Sequence, residues 1–187
     1  MKILLRIAVV PCVIVGAMFG SAGTWNLPFA WACLGIYLAF AVTILLKIDP
    51  ALRKERFNPA PGGQDRRLRA GIAPCILGSW IIAGLDVGRF HWSDTVPLAW
   101  RVTGLIGLAL SLGLTFWSML ANRFFSRVVR IQSERGHHLI NNGPYQYLRH
   151  PGYLGIIGGP LCVALALGSW WALLPAVGIV FLIVRRT

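Results

Sequence analysis

The sequence predicts an all-α protein, a polytopic membrane helical bundle of about six spans that ends in a helical hairpin. Hydrophobic residues make up 56% of the 187 residues and charged residues only 13%, whereas soluble domains carry about 25% charged residues. The mean hydropathy is +0.66. Several Trp residues stand at the ends of long apolar runs, where indole rings sit between water and acyl chains. These are Trp25, Trp92, Trp100, Trp170 and Trp171.

Six apolar runs justify the number of spans, and they cover 7–20, 27–46, 70–85, 102–120, 153–167 and 170–184. Several runs hold about 15 residues, fewer than the roughly 20 that cross a hydrocarbon core upright. Flanking Trp and Arg side chains must then snorkel, or the bilayer must thin. The first run also has the features of a signal peptide, so cleavage would leave five spans. We favour an uncleaved first helix.

The basic residues predict the orientation of this single integral membrane domain, 1–187. With the N-terminus inside, 16 of the 18 Lys and Arg residues lie on the cytoplasmic side, and only Arg89 and Arg101 lie outside. This asymmetry is typical of an inner-membrane protein. It accounts for the formal charge of +12 without nucleic acid, so we expect membrane lipid as the partner and no nucleic acid. The four Cys show no metal-ligand spacing, and no metal is expected.

The domain has two parts, and each contains a basic cytoplasmic segment. Four spans and the basic loop 47–69 occupy 1–120, and we expect a short helix at 51–57 in that loop. The loop lies beside anionic lipid or covers a site that faces the cytoplasm. In the second part, 121–187, cations at helical spacing oppose an apolar stripe over 122–135. This pattern predicts a helix along the membrane surface.

The turn from Gly143 to Gly155, G-P-Y-Q-Y-L-R-H-P-G-Y-L-G, concentrates the residues that could carry chemistry. Pro151 suits the first position of a helix and favours an extended His150, which places His150 at or near the N-cap. The free N–H groups of a helix start favour a carboxylate or phosphate, and aromatic rings hold a cation or stack on a purine. S-adenosylmethionine combines a carboxylate, a sulfonium and an adenine. Alternatively, these side chains are interfacial anchors.

At this turn the sequence resembles the membrane methyltransferases that include isoprenylcysteine carboxyl methyltransferase and the phospholipid methyltransferases. The match is G-P-Y-x-Y-x-R-H-P-x-Y-x-G, followed by an apolar hairpin with Gly-Ser-Trp at its tip, 168–170. The resemblance implies a membrane enzyme that binds S-adenosylmethionine from the cytoplasm and methylates a lipophilic acceptor. The part 121–187 then carries the cofactor site. Its expected residues are Leu139 and Gly143 through their backbone, Tyr145, Arg149, His150, Pro151 and Tyr153, with Arg149 and His150 as the catalytic candidates.

The acceptor and the completeness of the site are further expectations. No acid lies within a span apart from Asp86 at the outer end, so we expect no base buried in the bundle. A carboxylate acceptor is ionised at neutral pH, whereas an ammonium must first lose a proton. This favours a carboxylate, as in a prenylcysteine, or a thiol. In the family an acidic pair and a Gly-Tyr segment follow the last helix, whereas this sequence stops at Thr187. Either the chain is truncated or those contacts come from elsewhere.

Two other functions stay open at this point. Membrane sterol reductases have similar Gly-Pro-Tyr and Arg-His-Pro elements but use NADPH, and they need more spans ahead of the motif. A non-catalytic membrane scaffold would use the same turn only to anchor lipid headgroups. Binding of S-adenosylmethionine separates the methyltransferase from both alternatives.

Overall fold

The structure is a computed structural model that describes residues 2–57, 66–126 and 132–185. These residues contain seven α-helices and no strand. The helices are α1 (Lys2–Ala22), α2 (Pro28–Lys47), α3 (Pro50–Phe57), α4 (Arg66–Leu85), α5 (Leu98–Ala121), α6 (Pro151–Leu167) and α7 (Leu173–Val184). The all-α prediction is confirmed, and α3 is the expected short helix of the basic loop. Residues 58–65 of that loop lie outside the described residues.

The apolar helices coincide with the six apolar runs of the sequence. Within the described ranges, three are long and apolar enough to cross a membrane, namely Pro28–Lys47, Ala70–Phe90 and Leu98–Ala121. Three more are apolar but shorter, namely Val9–Ala22, Pro151–Leu167 and Leu173–Val184. The number of spans, the orientation and the fate of the N-terminal segment stay predictions.

The C-terminal hairpin forms because glycine ends α6. Gly168 adopts the left-handed conformation, with φ +81°, which only glycine reaches without strain. The Gly168 N–H donates to the Leu165 carbonyl (3.0 Å), and the Ser169 N–H donates to the Ala164 carbonyl (3.1 Å). This pair of bonds is a Schellman motif. The predicted tight turn is confirmed, and it brings α7 back against α6.

Close approach between α5 and α6 forms the main seam of the bundle. A Cβ atom at Gly104 would lie 2.7 Å from the Cys162 carbonyl oxygen. At the other end of the seam, a Cβ atom at Gly155 would lie 2.5 Å from the Ser111 carbonyl oxygen. Small residues let two helix backbones pack directly where no water drives them together. The seam therefore fixes α6, and the turn that precedes it, on α5.

A second contact brings α3 to the same end of α5. Leu52 is 2% exposed and belongs to a cluster with Ile48 and Met119. The Ser126 hydroxyl donates to Glu55 Oε1 (3.0 Å), and the Arg56 guanidinium lies 5.0 Å from the centre of the Phe125 ring. The basic loop therefore packs on the chain that leads to the Gly143–Gly155 turn.

Asp86 is buried in the bundle, contrary to the expectation from the sequence. Asp86 is fully buried in a π-helical turn, Asp86–Phe90, that continues α4. Its carboxylate accepts bonds from the Ser93 N–H (2.9 Å), the Ser93 hydroxyl and the Ser169 hydroxyl (both 2.5 Å). The sequence placed Asp86 at a span end but did not show these donors. The network ties the end of α4 to the tip of the hairpin.

Candidate functional site

The turn before α6 is seated on the last turn of α5. Gly143 opens a short 3₁₀ helix, Gly143–Gln146, with φ +56°. A Cβ atom there would lie 3.0 Å from the Ala121 Cβ and 3.3 Å from Trp117 Nε1. Pro144 is buried. Glycine is thus required at position 143 both by its backbone conformation and by its contact with α5.

His150 is the N-cap of α6, and Pro151 is its first helical residue, as predicted. The His150 side chain makes no capping hydrogen bond. Pro151 has no N–H, and the Tyr153 and Leu154 N–H groups donate to the His150 carbonyl, so the Gly152 N–H and the helix dipole are what this end of α6 offers to an anion. The exposed imidazole stacks on the Tyr153 ring, with the centroids 5.5 Å apart and the planes inclined by 25°. Two rings and a helix N-terminus therefore lie together at one surface.

Tyr145 is the half-buried member of the turn. The Asn122 side-chain amide donates to its hydroxyl oxygen at 3.3 Å. Burial raises the pKa of Tyr145 above its usual value, and the hydrogen bond from Asn122 offsets part of that increase. The phenol is therefore protonated at neutral pH, and its proton can be donated to a further group.

The predicted site residues fall into two groups. Gly143, Tyr145, His150, Pro151 and Tyr153 share the compact turn, whose Pro144 carbonyl accepts from the N–H groups of residues 147 and 148. Leu139 lies in the segment before this turn, and its side chain is 87% exposed, so only its backbone is suited to the expected contact. Arg149 is exposed beside His150.

The chain between α5 and this turn differs from the predicted surface helix over 122–135. The helix α5 ends at Ala121, and its C-cap residue Asn122 has an extended backbone (φ −116°, ψ 98°). The prediction is wrong for 122–126 and also for 132–135, where only the 3₁₀ turn Ser133–Arg135 is helical. Residues 127–131 lie outside the described residues. The helical spacing of the cations gave a wrong prediction because the Asn122 side-chain oxygen accepts a hydrogen bond from the Phe124 N–H (2.8 Å), which ends the helix at this point.

Phe124 and Gln132 organise this connection instead. Phe124 is buried and stacks on the His137 ring, with centroids 4.7 Å apart. Gln132 is 1% exposed; its amide donates to the Phe124 carbonyl (2.8 Å) and accepts from Arg135 Nη1 (2.6 Å). The burial of Gln132 could not be predicted from the sequence, because a single buried glutamine does not follow a periodic hydrophobic pattern.

Asn122 is a second residue of the site that is absent from the prediction. It is a polar residue directly after a long apolar helix, which is a sequence signal for the end of that helix. Its partner, Tyr145, lies 23 residues further along the chain, a pairing that spacing alone does not reveal.

The matched part of the chain begins in α5 and contains this whole turn. Residues 100–186 match the phospholipid methyltransferase family. This confirms the resemblance, since that family of membrane methyltransferases includes the isoprenylcysteine carboxyl methyltransferases. No curated protein and no solved structure matches the chain. The phospholipid methyltransferase match covers the α5–α6 seam, the turn and the hairpin, whereas α1 to α4 lie ahead of it.

Two other features of the molecule do not belong to the turn. A cleft of about 460 Å³ is lined by Trp92 and Trp171, next to the hairpin tip at the far end of α6. Among the described residues, no three His, Cys, Asp or Glu side chains are grouped as they would be around a metal ion.

Proposed function

We propose that this protein is a membrane methyltransferase that uses S-adenosylmethionine and methylates a lipophilic acceptor, either a carboxylate of the prenylcysteine kind or a thiol. The observation that carries the proposal is the phospholipid methyltransferase match over residues 100–186. Within that segment, the stacked His150 and Tyr153 rings lie at the uncapped start of α6.

The residues of the turn suit the three parts of this cofactor. The start of α6 and the Arg149 guanidinium favour a carboxylate. The rings of His150, Tyr145 and Tyr153 suit an adenine or a sulfonium. When bound, the cofactor supplies an electrophilic methyl group. The residues of the chain bind and orient it, and this positioning is a main contribution to an in-line displacement.

The positions of the acids support this choice of acceptor class. Asp86 lies beyond the C-terminal end of α6, about 25 Å from the turn for a helix of 17 residues, and its carboxylate is already bonded to Ser93 and Ser169. Glu55 is nearer and buried, but it accepts from Ser126. An acceptor that is an anion before the reaction, such as a carboxylate, needs no general base.

Calorimetry on the 187-residue protein in mild detergent tests the cofactor. We expect saturable binding of S-adenosylmethionine, none of NADPH, and binding weakened about ten-fold in His150→Ala. His138→Ala is the matched control, because His138 is also exposed but lies outside the turn. Failure to bind S-adenosylmethionine would contradict the proposal, and saturable NADPH binding would indicate a reductase.

The pH profile of methyl transfer tests the acceptor class. With a carboxylate acceptor the rate stays flat between about pH 6 and 8.5, because a carboxylate of pKa near 4 is ionised throughout. With an amine or a thiol acceptor the rate rises with pH as the acceptor loses its proton. A farnesylcysteine analogue, an alkyl thiol and phosphatidylethanolamine are the three substrates to compare.

A further inference from the structure

Four hydrogen bonds hold Asn122 in one orientation at the end of α5. Its N–H donates to the Ser118 carbonyl (3.1 Å), and its carbonyl accepts from the Phe125 N–H (3.1 Å). Its side-chain oxygen accepts from the Phe124 N–H at 2.8 Å. With the oxygen so used, the NH₂ group is the part of the amide that is directed at the Tyr145 hydroxyl, 3.3 Å away.

This orientation decides how the Tyr145 hydroxyl can be used. An amide NH₂ only donates, so the phenolic oxygen must be the acceptor in this pair. The phenolic proton is then left to be donated elsewhere. A hydroxyl that already accepts one hydrogen bond is also a stronger donor in the next. Tyr145 is therefore set as a donor to an acceptor group of the ligand.

The backbone around both residues leaves little freedom for this pair. Gly143 is wedged against Ala121, directly before Asn122 in the sequence. The Tyr145 N–H donates to the Asn142 carbonyl at 3.2 Å. The turn and the end of α5 are thus held at two points, and the bond from Asn122 to Tyr145 joins their side chains.

We infer that Asn122 is a positioning residue of the cofactor site, which holds the Tyr145 hydroxyl so that it donates a hydrogen bond to an anionic oxygen of the ligand. The inference rests on the proposed function, because it takes S-adenosylmethionine, with its carboxylate, as the ligand. It adds a residue that acts through Tyr145 and does not itself contact the cofactor.

Asn122→Asp is the most informative variant. Aspartate has nearly the same shape and keeps an oxygen for the Phe124 N–H, so the end of α5 is preserved. It replaces the NH₂ donor by a second acceptor, which draws the phenolic proton towards itself and away from the ligand. Asn122→Ala removes both side-chain bonds and serves as the second variant. Asn141→Ala, an exposed asparagine of the same connection, is the control.

The first readout is the ionisation of Tyr145, followed by phenolate absorbance near 295 nm as a difference between each protein and its Tyr145→Phe derivative. Loss of the Asn122 donor raises the pKa of Tyr145, since a bond that stabilises the phenolate disappears. The carboxylate in Asn122→Asp raises it further. An unchanged titration in both variants would overturn the inference whether or not the cofactor binds.

The second readout is a double-mutant cycle on S-adenosylmethionine affinity. We expect Asn122→Asp and Tyr145→Phe each to weaken binding about five-fold, which corresponds to one ordinary hydrogen bond. The double variant should be no weaker than Tyr145→Phe alone, because Asn122 acts only through the hydroxyl. Additive losses would overturn the positioning role while leaving the proposed function intact. Absence of binding in the unmodified protein would overturn both.

Discussion

The Asp86 carboxylate accepts a hydrogen bond from the Ser169 hydroxyl at 2.5 Å, across 83 residues of chain. Ser93 donates to the same carboxylate through its N–H and its hydroxyl. The Ser93 oxygen in turn accepts from the Trp170 N–H at 3.1 Å. The end of α4 with the residues that follow it, 86–93, and the hairpin tip, 169–170, therefore meet on one buried acid.

Replacing this acid by its amide should destabilise the bundle. In Asp86→Asn the NH₂ group faces donors, so at least one buried donor loses its partner, which costs about 1–3 kcal/mol. The measurement is thermal or denaturant unfolding in detergent. Asp94→Asn is the control: Asp94 is 70% exposed and pairs with the His91 imidazole at 3.2 Å, and exposed pairs contribute little. Equal effects of the two substitutions would contradict the assigned role of Asp86.

Two glycines of the α5–α6 pair should respond in opposite ways to an added methyl group. A Cβ atom at Gly155 meets the Ser111 backbone at 2.5 Å, so Gly155→Ala should destabilise the protein by about 1–3 kcal/mol. At Gly113, an exposed residue of α5, nothing lies within 4 Å of such an atom, and Gly113→Ala should be neutral or stabilising by up to about 1 kcal/mol from helix propensity. Unfolding of the two variants under one condition gives the comparison.

Arg149→Ala should weaken S-adenosylmethionine binding about ten-fold without changing the unfolding midpoint. Arg149 is exposed, so its removal leaves no buried group unpaired, whereas a charge-assisted bond to a carboxylate is lost. Calorimetry and thermal unfolding on the same preparations check both halves. Lys54→Ala removes an exposed cation of α3 at the same end of the bundle and controls for the loss of positive charge. Equal losses of affinity in the two variants would point to a general charge effect.

Stability at high pH should depend on Tyr145. Burial raises its pKa in the folded protein above the usual value of 10.0, so the folded state keeps the phenolic proton longer than the unfolded state does. Its contribution is therefore fully present below about pH 10 and is lost as the pH rises through the folded-state pKa. The drop in unfolding midpoint between pH 9 and 11 should be smaller in Tyr145→Phe. Tyr147→Phe, at a residue 77% exposed, should behave like the unmodified protein.

Local signals in the sequence predicted the helices well, and contacts between distant segments less well. Pro151 and Gly168 indicate the start and end of α6, because the backbone conformations that proline and glycine favour suit these two positions of a helix. Small residues spaced by four are typical of close helix packing, and Gly84 and Gly155 indeed meet neighbouring backbones. Gly16 and Gly159 carry the same spacing but face open space, since spacing does not reveal which side of a helix meets a partner.

In the candidate site, too, local features could be predicted from the sequence and long-range contacts could not. The turn 143–155 could be identified from its residue types because they are consecutive. The two residues that support the turn, Asn122 and Phe125, could not be identified from the sequence. Each contacts a residue of the turn, Tyr145 or Gly152, that lies more than 20 residues further along the chain. The false helix over 122–135 has a related cause: a side chain that bonds the backbone two residues on, as Asn122 does to Phe124, competes with the helix at that point.

The seam between α5 and α6 also restricts the route of a membrane-borne substrate. At Gly104, Gly107 and Gly155 there is no room even for a methyl group between the two helices, and an acyl or prenyl chain is at least as wide as a methyl group. A hydrophobic tail therefore cannot slide between α5 and α6 to reach the turn above them. Under the proposed function, a lipophilic acceptor therefore approaches from another flank of the bundle, and its entrance lies away from the α5–α6 seam that supports the turn.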